Sequence, residues 1–405
     1  MSRVKLIFSM SARNLRRQWR RNSILLFAIT VAIGGVIVLN SFVRGMQVQM
    51  VDTVVDNLSG HIKLHAHGYR DDPTVERGFS IGTDDVDFAL KDLPVMGWAT
   101  RLTVPSVVMS ERETRGAQLV GIDPDRESIS FISSATLEGT QLADVHDSQI
   151  LIGRALLDDL QTKLGRRIVV ITQDADGISK EIGYTIAGVY DAQSESAERA
   201  FVFTGLEALQ GLLATNQVTE LSIRFRTRYV DQADYTIVQT AFSEFDVLSW
   251  QQSNPLVAFL YETVDVVIYI WLGIVLGALV FGLVNTLITA VLERTQEFGL
   301  FRAVGMRPTV IVSQVVLESV ILMVIGIALG LVGSLAVFTW LSEGIDLSAF
   351  ASGVDMMGMS PRINPAALPR DISIVILISL VLSVVASFFP AIRAVRMNPL
   401  EALRD

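Results

Sequence analysis

The sequence predicts a membrane protein with four transmembrane α-helices and a large α+β extracytoplasmic domain between helices 1 and 2. Half of the 405 residues are hydrophobic, and the mean hydropathy is +0.45. The apolar residues gather in four segments, each long enough for a helix to cross a bilayer, which takes about 20 residues. These segments are residues 23–43, 266–292, 309–341 and 372–390. A long polar segment, 44–262, separates the first two and predicts the outer domain.

Residues 1–22 precede the first apolar segment and predict a cytoplasmic amphipathic helix. They carry seven Lys and Arg residues and no acidic residue, so the positive-inside rule places them in the cytoplasm. Apolar side chains recur every three or four positions, which is typical of a helix lying on the inner leaflet. The apolar core that follows is longer than that of a signal peptide, so we expect an uncleaved membrane helix.

The remaining topology follows from the number of spans. With the N-terminus inside, residues 44–262 and 342–371 lie outside, whereas residues 293–308 and the tail 391–405 lie in the cytoplasm. The connector 293–308 carries Arg294, Arg302 and Arg307. These basic residues agree with the predicted orientation.

The predicted outer domain has a strongly acidic composition and a mixed secondary structure. It holds 32 acidic residues against 18 Lys and Arg residues, which excludes nucleic acid as a partner because like charges repel. Period-two alternation predicts strands at residues 61–67 and 220–226. A turn-rich stretch at 174–177 predicts a hairpin. Helical spacing predicts helices at 150–163 and 231–245.

No motif in the sequence indicates catalysis. The phosphate-binding loop, the His-Glu-x-x-His zinc motif and the Gly-x-Ser-x-Gly elbow are all absent. We therefore expect no catalytic residue and no cofactor in this chain. His61, His65 and His67 share one face of a predicted strand and could bind a metal. Because no carboxylate accompanies them, a solvated strand face is the favoured interpretation, with no metal site.

The apolar spans contain one acidic residue, Glu318. The segment 309–341 is longer than a bilayer requires, so Glu318 is expected near the cytoplasmic interface, paired with a basic residue of the connector or the N-terminal helix. Proton coupling is the alternative. The pairs Gly273-x-x-x-Gly277 and Gly326-x-x-x-Gly330 present small faces for close helix contact. The scarcity of other polar side chains argues against a hydrophilic conduit.

The connector combines charged and apolar residues in a short segment. Glu293 and Glu297 are spaced to share one helical face, where like charges repel unless a basic partner approaches. Phe298, Phe301 and Val304 form an apolar stripe. This stripe could dock in the cleft of a soluble partner, or it could rest on the bilayer.

The connector closely resembles the signature of the MacB/FtsX-type (type VII) permease family of ABC transporters. The matching residues are Glu293, Arg294, Glu297, Gly299, Arg302, Ala303 and Gly305. The family also carries a glutamate within the next span, followed by glycines, which here are Glu318, Gly326 and Gly330. The tail matches the family at Pro390, Asn398 and Pro399. The layout of one span, a large outer domain and three further spans agrees along essentially the whole chain.

This resemblance implies that residues 293–308 form a coupling helix that seats on a separate ABC ATPase, with Phe298 and Phe301 at the contact. Two ATPase copies would bind the ATP and Mg, so that no cofactor belongs to this chain. The resemblance further implies a second permease subunit, identical or different, and a location in the bacterial inner membrane. Members of the family convert ATP-driven closure into movement of the outer domain.

The segment Leu58–Tyr69 resembles permeases of the lipoprotein-release (Lol) branch. This resemblance implies extraction of lipoproteins or other amphiphiles from the membrane. Two alternatives stay open: a MacB-like efflux subunit that works with a periplasmic adaptor, and a mechanotransmitting regulator of a cell-wall hydrolase. The size of the outer domain disfavours the regulator, because the division-type members have much smaller outer domains.

Overall fold

The computed structural model describes residues 10, 11, 13, 14, 17, 19–192, 194–342, 344–346 and 362–396. Most of the predicted amphipathic helix 1–22 lies outside these residues, as do Asn398 and Pro399. The chain divides into two compact units. The membrane unit comprises Met1–Gln47, Glu262–Ile345 and Ile363–Asp405, and the outer domain comprises Val48–Tyr261 with Asp346–Arg362.

Four of the described helices are long and apolar enough to cross a membrane. In chain order the helices are α1 (Trp19–Val54), α2 (Thr83–Leu90), α3 (Arg154–Asp159), α4 (Glu195–Ala200), α5 (Leu206–Leu212), α6 (Gln232–Ala241), α7 (Trp250–Ser253), α8 (Pro255–Glu293), α9 (Thr295–Ala303), α10 (Pro308–Trp340) and α11 (Pro369–Arg396). The four apolar ones are α1, α8, α10 and α11. Helices α1 and α8 continue well beyond the apolar segments 23–43 and 266–292, since helical hydrogen bonding does not stop where side chains become polar.

Glycines bring α1 and α10 into close contact within the membrane unit. A Cβ atom added to Gly326 would lie 2.3 Å from Cγ2 of Ile29, and one added to Gly330 would lie 3.1 Å from the backbone nitrogen of Gly34. At Gly326 only a residue without a side chain permits this approach, whereas a side chain at Gly330 would require the neighbouring helix to shift by a few tenths of an ångström. The other predicted pair, Gly273 and Gly277 of α8, meets no described atom within 4 Å. Only the glycines of α10 therefore make the predicted close contact among the described residues.

At the predicted outer end of the membrane unit, Arg44 joins three helices. Its Nε atom donates to Oδ2 of Asp371 at 2.7 Å, which links α1 to α11. Its Nη1 atom donates to Asp265 of α8 and to Gln47 of its own helix. Because Asp371 is buried, this ion pair matters for keeping the three helix ends together.

The outer domain is built on one large mixed sheet of ten strands among the described residues. The strands are β1 (Ile62–His65), β2 (Val95–Met109), β3 (Thr114–Ile122), β4 (Thr136–Gly139), β5 (Ile150–Gly153), β6 (Arg167–Gln173), β7 (Ser179–Asp191), β8 (Phe201–Gly205), β9 (Glu220–Phe225) and β10 (Asp246–Ser249). A separate pair, β11 (Ile345–Asp346) and β12 (Arg362–Ile363), follows later in the chain.

The strand order in the large sheet is β10-β1-β9-β2-β3-β8-β5-β7-β4, and β6 pairs with β2 and β7. The pairs β3–β8 and β5–β7 are parallel, and the others are antiparallel. Ile62 and Leu64 alternate into the core with no exposed surface, as period-two patterning requires. These elements confirm the predicted α+β domain between the first and second membrane helices.

The hairpin predicted around residues 174–177 is formed by β6 and β7. Oδ1 of Asp174 accepts the N–H groups of Asp176 and Ile178 at 3.0 and 2.8 Å, which closes the turn. The helix predicted over 150–163 is wrong at its start, because β5 occupies its first four residues and α3 begins at Arg154. A short, wholly buried apolar run has no periodicity that distinguishes a strand from a helix.

Candidate functional site

The connector between α8 and α10 folds as the short helix α9, with a defined break on each side. Arg294 interrupts the helix with φ −112° and ψ 20°, between the end of α8 and the start of α9. Gly305 follows α9 with φ +92°, which glycine adopts without steric strain. Pro308 then begins α10, where its missing N–H group is not needed.

The break at Arg294 corrects the predicted helical face of two glutamates. Because helical phase is lost there, Glu293 and Glu297 belong to different helices. Glu297 accepts from Arg294 at 3.0 Å and from Arg17 at 2.6 Å. Burial acts to raise the pKa of Glu297, but these two hydrogen bonds outweigh it and hold the pKa below its ordinary value. The repulsion predicted for the glutamate is thus relieved inside the chain.

One face of α9 packs against the neighbouring helices of the membrane unit. Phe298 is 2% exposed and packs in an apolar cluster with Val291, Ile311, Val315 and Ala391. The guanidinium of Arg294 lies 5.1 Å from the centre of the Phe298 ring, within cation–π range. Phe298 therefore anchors α9 within the chain, and its predicted part in coupling to a partner stays a prediction.

Beneath α9 lies a buried polar network around Glu318. Nη1 of Arg294 donates to both carboxylate oxygens of Glu318 at 3.2 Å. Asn14 donates to Oε1 of Glu318 at 2.9 Å, and Gln314 donates to the same atom at 3.3 Å. Glu318 thus pairs with a basic residue of the connector, as its position in the sequence predicts. Asn14 and Gln314 are partners that carry no recognisable signal in the sequence.

The opposite face of α9 is exposed. Leu300 is 53% exposed and Val304 is 81% exposed, one helical turn apart. Phe301 is half-buried and packs against the same cluster as Phe298. The predicted stripe of Phe298, Phe301 and Val304 therefore divides between the two faces. Leu300, whose spacing of four from Val304 could have revealed it, completes the exposed apolar pair.

Three further predicted residues lie on the packed side of α9 or in α11. Nη1 of Arg302 donates to the carbonyl oxygen of Val395 at 2.6 Å, which ties α9 to the end of α11. Gly299 is buried beside Phe298, and Pro390 is buried within α11. Among the described residues, Leu300 and Val304 leave an apolar surface exposed on a helix whose other side is packed.

The three histidines in and around β1 each bond another group of the outer domain, and His67 does so through Asp246. Nδ1 of His61 accepts the N–H of Phe225, and a ring nitrogen of His65 bonds the carbonyl of Thr219 at 2.8 Å. Burial lowers the pKa of both His61 and His65. Across the described ranges, no three His, Cys, Asp or Glu side chains gather in a way that could hold a metal ion.

Two family models match the chain in separate segments. Residues 269–399 match the FtsX-like permease C-terminal family, and residues 23–244 match the MacB-like periplasmic core domain. The first match contains the connector and the glycines of α10. The second contains most of α1 and of the outer domain.

The chain is similar to named proteins of lipoprotein release and of macrolide export. The lipoprotein-releasing system transmembrane protein LolC of Xylella fastidiosa is 22% identical over 96% of both chains. The macrolide export ATP-binding/permease protein MacB 2 of Yersinia pestis is 34% identical over 30% of this chain and 16% of its own length. The solved periplasmic region of MacB from Actinobacillus actinomycetemcomitans covers 50% of this chain and 95% of its own, at 10% identity and a TM-score of 0.34.

Four apolar helices, an α+β domain after the first of them and a short anchored helix between the second and third define a membrane permease. The chain belongs to the MacB/FtsX-type family of ABC transporter permeases and is an inner-membrane protein. This confirms the family that the connector sequence predicts.

Proposed function

We propose that this chain is the transmembrane subunit of an ABC transporter driven by a separate ATPase, and that α9 is where the ATPase docks. The observation that carries the proposal is that α9 is buried on one face and exposed on the other. Leu300 and Val304 are exposed, whereas Phe298 and Arg294 are buried against the membrane unit. A push on the exposed face is therefore passed to the membrane helices, because the anchored face cannot yield separately.

In this proposal the ATPase, in two copies, binds the ATP and Mg, and a second permease subunit completes the complex. The N-terminus, the connector and the C-terminus lie in the cytoplasm, where ATP is available. Movement of the membrane helices then displaces the outer domain. The outer domain has 32 acidic residues in segment 44–262, and this charge suits a surface exposed to water. Its size suits contact with a protein cargo or partner.

An amphiphile, as in lipoprotein release, is the cargo we propose. A cavity of about 260 Å³ lies between α1, α8 and α11, near Asp371. Its lining is almost wholly apolar and includes Leu39, Trp271 and Ile374. Such a lining suits hydrocarbon rather than a hydrated solute. The similarity to LolC along nearly the whole chain supports the same cargo class.

Efflux with a periplasmic adaptor is the second candidate. The match of residues 23–244 to the MacB-like periplasmic core favours it. The two candidates differ in what they require: efflux depends on an adaptor protein, and lipoprotein release depends on an acylated cargo. Binding of a purified adaptor to the outer domain would favour efflux.

The docking proposal is tested with Leu300→Asp and Val304→Asp in complexes reconstituted with the ABC ATPase of the same transporter. A charge at either position should abolish ATPase binding and its stimulation, because an interface centre tolerates no unpaired charge. Ile237→Asp is the matched control, since Ile237 is an apolar side chain of the outer domain with a similar exposure of 49%. Unchanged stimulation in both connector variants would refute the docking site.

The cargo proposal is tested with photo-crosslinking residues at Leu39 and Trp271, which line the cavity. The probe is a triacylated peptide that carries a fluorophore. Val332 of α10, which is 67% exposed, provides the control for nonspecific contact with lipid. Crosslinking at the cavity positions should exceed that at Val332, and equal yields at all three positions would count against an amphiphile site.

A further inference from the structure

The end of α1 has an unusual backbone in the outer domain. Residues Val55–Ser59, which we call the joint, form a π-helical turn directly after Val54. Within the joint, Leu58 has φ +63°, a left-handed conformation that is rare for a branched apolar residue, and its side chain is buried. The chain then enters β1 at Ile62. A backbone held in this conformation requires contacts that fix it.

Those contacts converge on the carbonyl oxygen of Leu58. Nη1 of Arg101 donates to it at 2.6 Å, and Oγ of Ser222 donates to it at 2.7 Å. Arg101 lies on β2 and Ser222 on β9, which are neighbouring strands. Two central strands of the sheet therefore hold one carbonyl group of the joint.

Arg101 is itself held rigidly. Its side chain has no exposed surface, and its Nε and Nη2 atoms each donate to Glu127 at 2.7 Å. Its Nη1 atom also donates to Glu220 at 3.1 Å. Nζ of Lys63, on β1, donates to the same carboxylate at 2.8 Å and balances its charge. The cluster is charge-balanced, with two cations and two anions. A bidentate guanidinium pair fixes orientation as well as position.

Burial of such a cluster is poorly explained by stability alone. A buried ion network contributes little net stability compared with apolar residues of the same volume. What the arginine provides is geometry, because its planar fork can bind Glu127 on one side and the Leu58 carbonyl on the other. A lysine in its place donates from a single atom, Nζ, and so cannot reproduce the contacts that Arg101 makes from Nε, Nη1 and Nη2.

We propose that Arg101 is a positioning residue that fastens the end of α1 to the sheet, so that displacement of the helix moves β1, β2 and β9 as one body. This inference rests on the proposed function, in which motion of the membrane helices drives the outer domain. Because α1 is helical from Trp19 to Val54, the joint is the point where its displacement either reaches the sheet or is lost. Ion pairs of Asp52 with Arg228 and of Asp56 with Arg224 add further attachments.

The joint itself is tested without the ATPase, in the full chain in lipid nanodiscs. The natural sequence has no cysteine, so Thr53→Cys and Thr114→Cys give two spin labels without background. Thr53 lies on α1 just before the joint, and Thr114 lies on β3 of the sheet. In the Arg101→Lys variant the distribution of distances between the two spin labels should broaden about twofold, because the contact of Arg101 with the Leu58 carbonyl is lost.

Arg154→Lys is the matched control, because Arg154 binds Glu138 and Asp191 in the same domain without touching the joint. If Arg101→Lys does not fold, Ser222→Ala and Glu127→Gln remove one contact each and should broaden the distribution in the same direction. A distribution in every folded variant as narrow as that of the parent would overturn the proposal.

A second readout separates positioning from simple stability. In complexes with the ATPase, Arg101→Lys should leave ATP hydrolysis near its normal rate but lower the release of a triacylated fluorescent peptide per ATP. A loss of stability alone would lower ATP hydrolysis and total peptide release together and leave the release per ATP unchanged, and this result would overturn the positioning role. If the parent complex releases no peptide, the proposed cargo is wrong, whereas the spin-label result still decides the role of Arg101.

Discussion

Arg294 and Glu318 form a buried ion pair that joins the connector to the third membrane helix. Nη1 of Arg294 lies 3.2 Å from each carboxylate oxygen, and the two side chains are 6% and 10% exposed. The pair explains how an acidic residue is tolerated in an otherwise apolar helix, because its charge is neutralised by a partner that also supplies the break before α9. The same ion pair links the start of α9 to α10.

The ion pair predicts strong non-additivity. Arg294→Met and Glu318→Gln should each lower stability by about 3 kcal/mol, since each leaves a buried charge without its partner. The double variant should lose far less than the sum of the two. Thermal unfolding in detergent measures the cycle. Arg17→Met, which removes an exposed ion pair with Glu297, should change stability by less than about 1 kcal/mol. Additive losses would show that the two residues do not act together.

The proposed orientation predicts sided chemical labelling. Single cysteines at Val304 and at Phe88 provide probes with the same exposure of 81%. A membrane-impermeant maleimide should label the Val304 position only in inverted vesicles, and the Phe88 position only in intact spheroplasts. Labelling of the Val304 position from the periplasm would reverse the topology and remove the docking site.

The contact between α1 and α10 predicts a position-specific effect of added methyl groups. Gly326→Ala should lower thermal stability by roughly 1–3 kcal/mol, because the new Cβ would lie 2.3 Å from a methyl group of Ile29. Gly333→Ala on the same helix meets no described atom within 4 Å and should have little effect. Adding Ile29→Ala should partly rescue Gly326→Ala. A failure of that rescue would place the strain elsewhere.

The outer domain should lose stability in acid through Glu220. Burial acts to raise the pKa of this carboxyl group, but the charges of Lys63 and Arg101 outweigh burial and lower the pKa to about 2. The ionised form therefore stabilises the fold above the ordinary pKa of about 4.5, and this contribution is lost as the pH falls from there towards 2. Its size is on the order of 3 kcal/mol.

Urea unfolding at pH 6 and pH 3 measures this contribution, with the fluorescence of the buried Trp98 as the probe after the other tryptophans are replaced. The change between the two pH values should be smaller in Glu220→Gln. Glu138→Gln, at an exposed carboxylate paired with Arg154, should leave it unaltered. Equal acid sensitivity in the parent and in Glu220→Gln would assign the effect to other groups.

Much of the architecture was predictable because it depends on local composition. Long apolar runs can satisfy their backbone hydrogen bonds in lipid only as helices, and alternating strands such as β1 and the β6–β7 hairpin carry their pattern in a few residues. The helix predicted from residue 150 is wrong over its first four residues, because β5 is apolar on both faces and shows no strand periodicity. Within the candidate site, Glu318 pairs with Arg294 of the connector as predicted, since a charge in an apolar run requires a partner.

The sequence by itself determined the class of protein, the number of apolar helices and the connector, because these follow from hydropathy and from a short contiguous signature. Only the tertiary structure decided which side of α9 is free. That choice depends on packing against Ile311, Val315 and Ala391, which are distant in sequence from Phe298. The hydrogen bond from Arg101 to the carbonyl of Leu58, 43 residues away, could not be predicted from the sequence either. Nothing local to either residue indicates that the sheet brings them together.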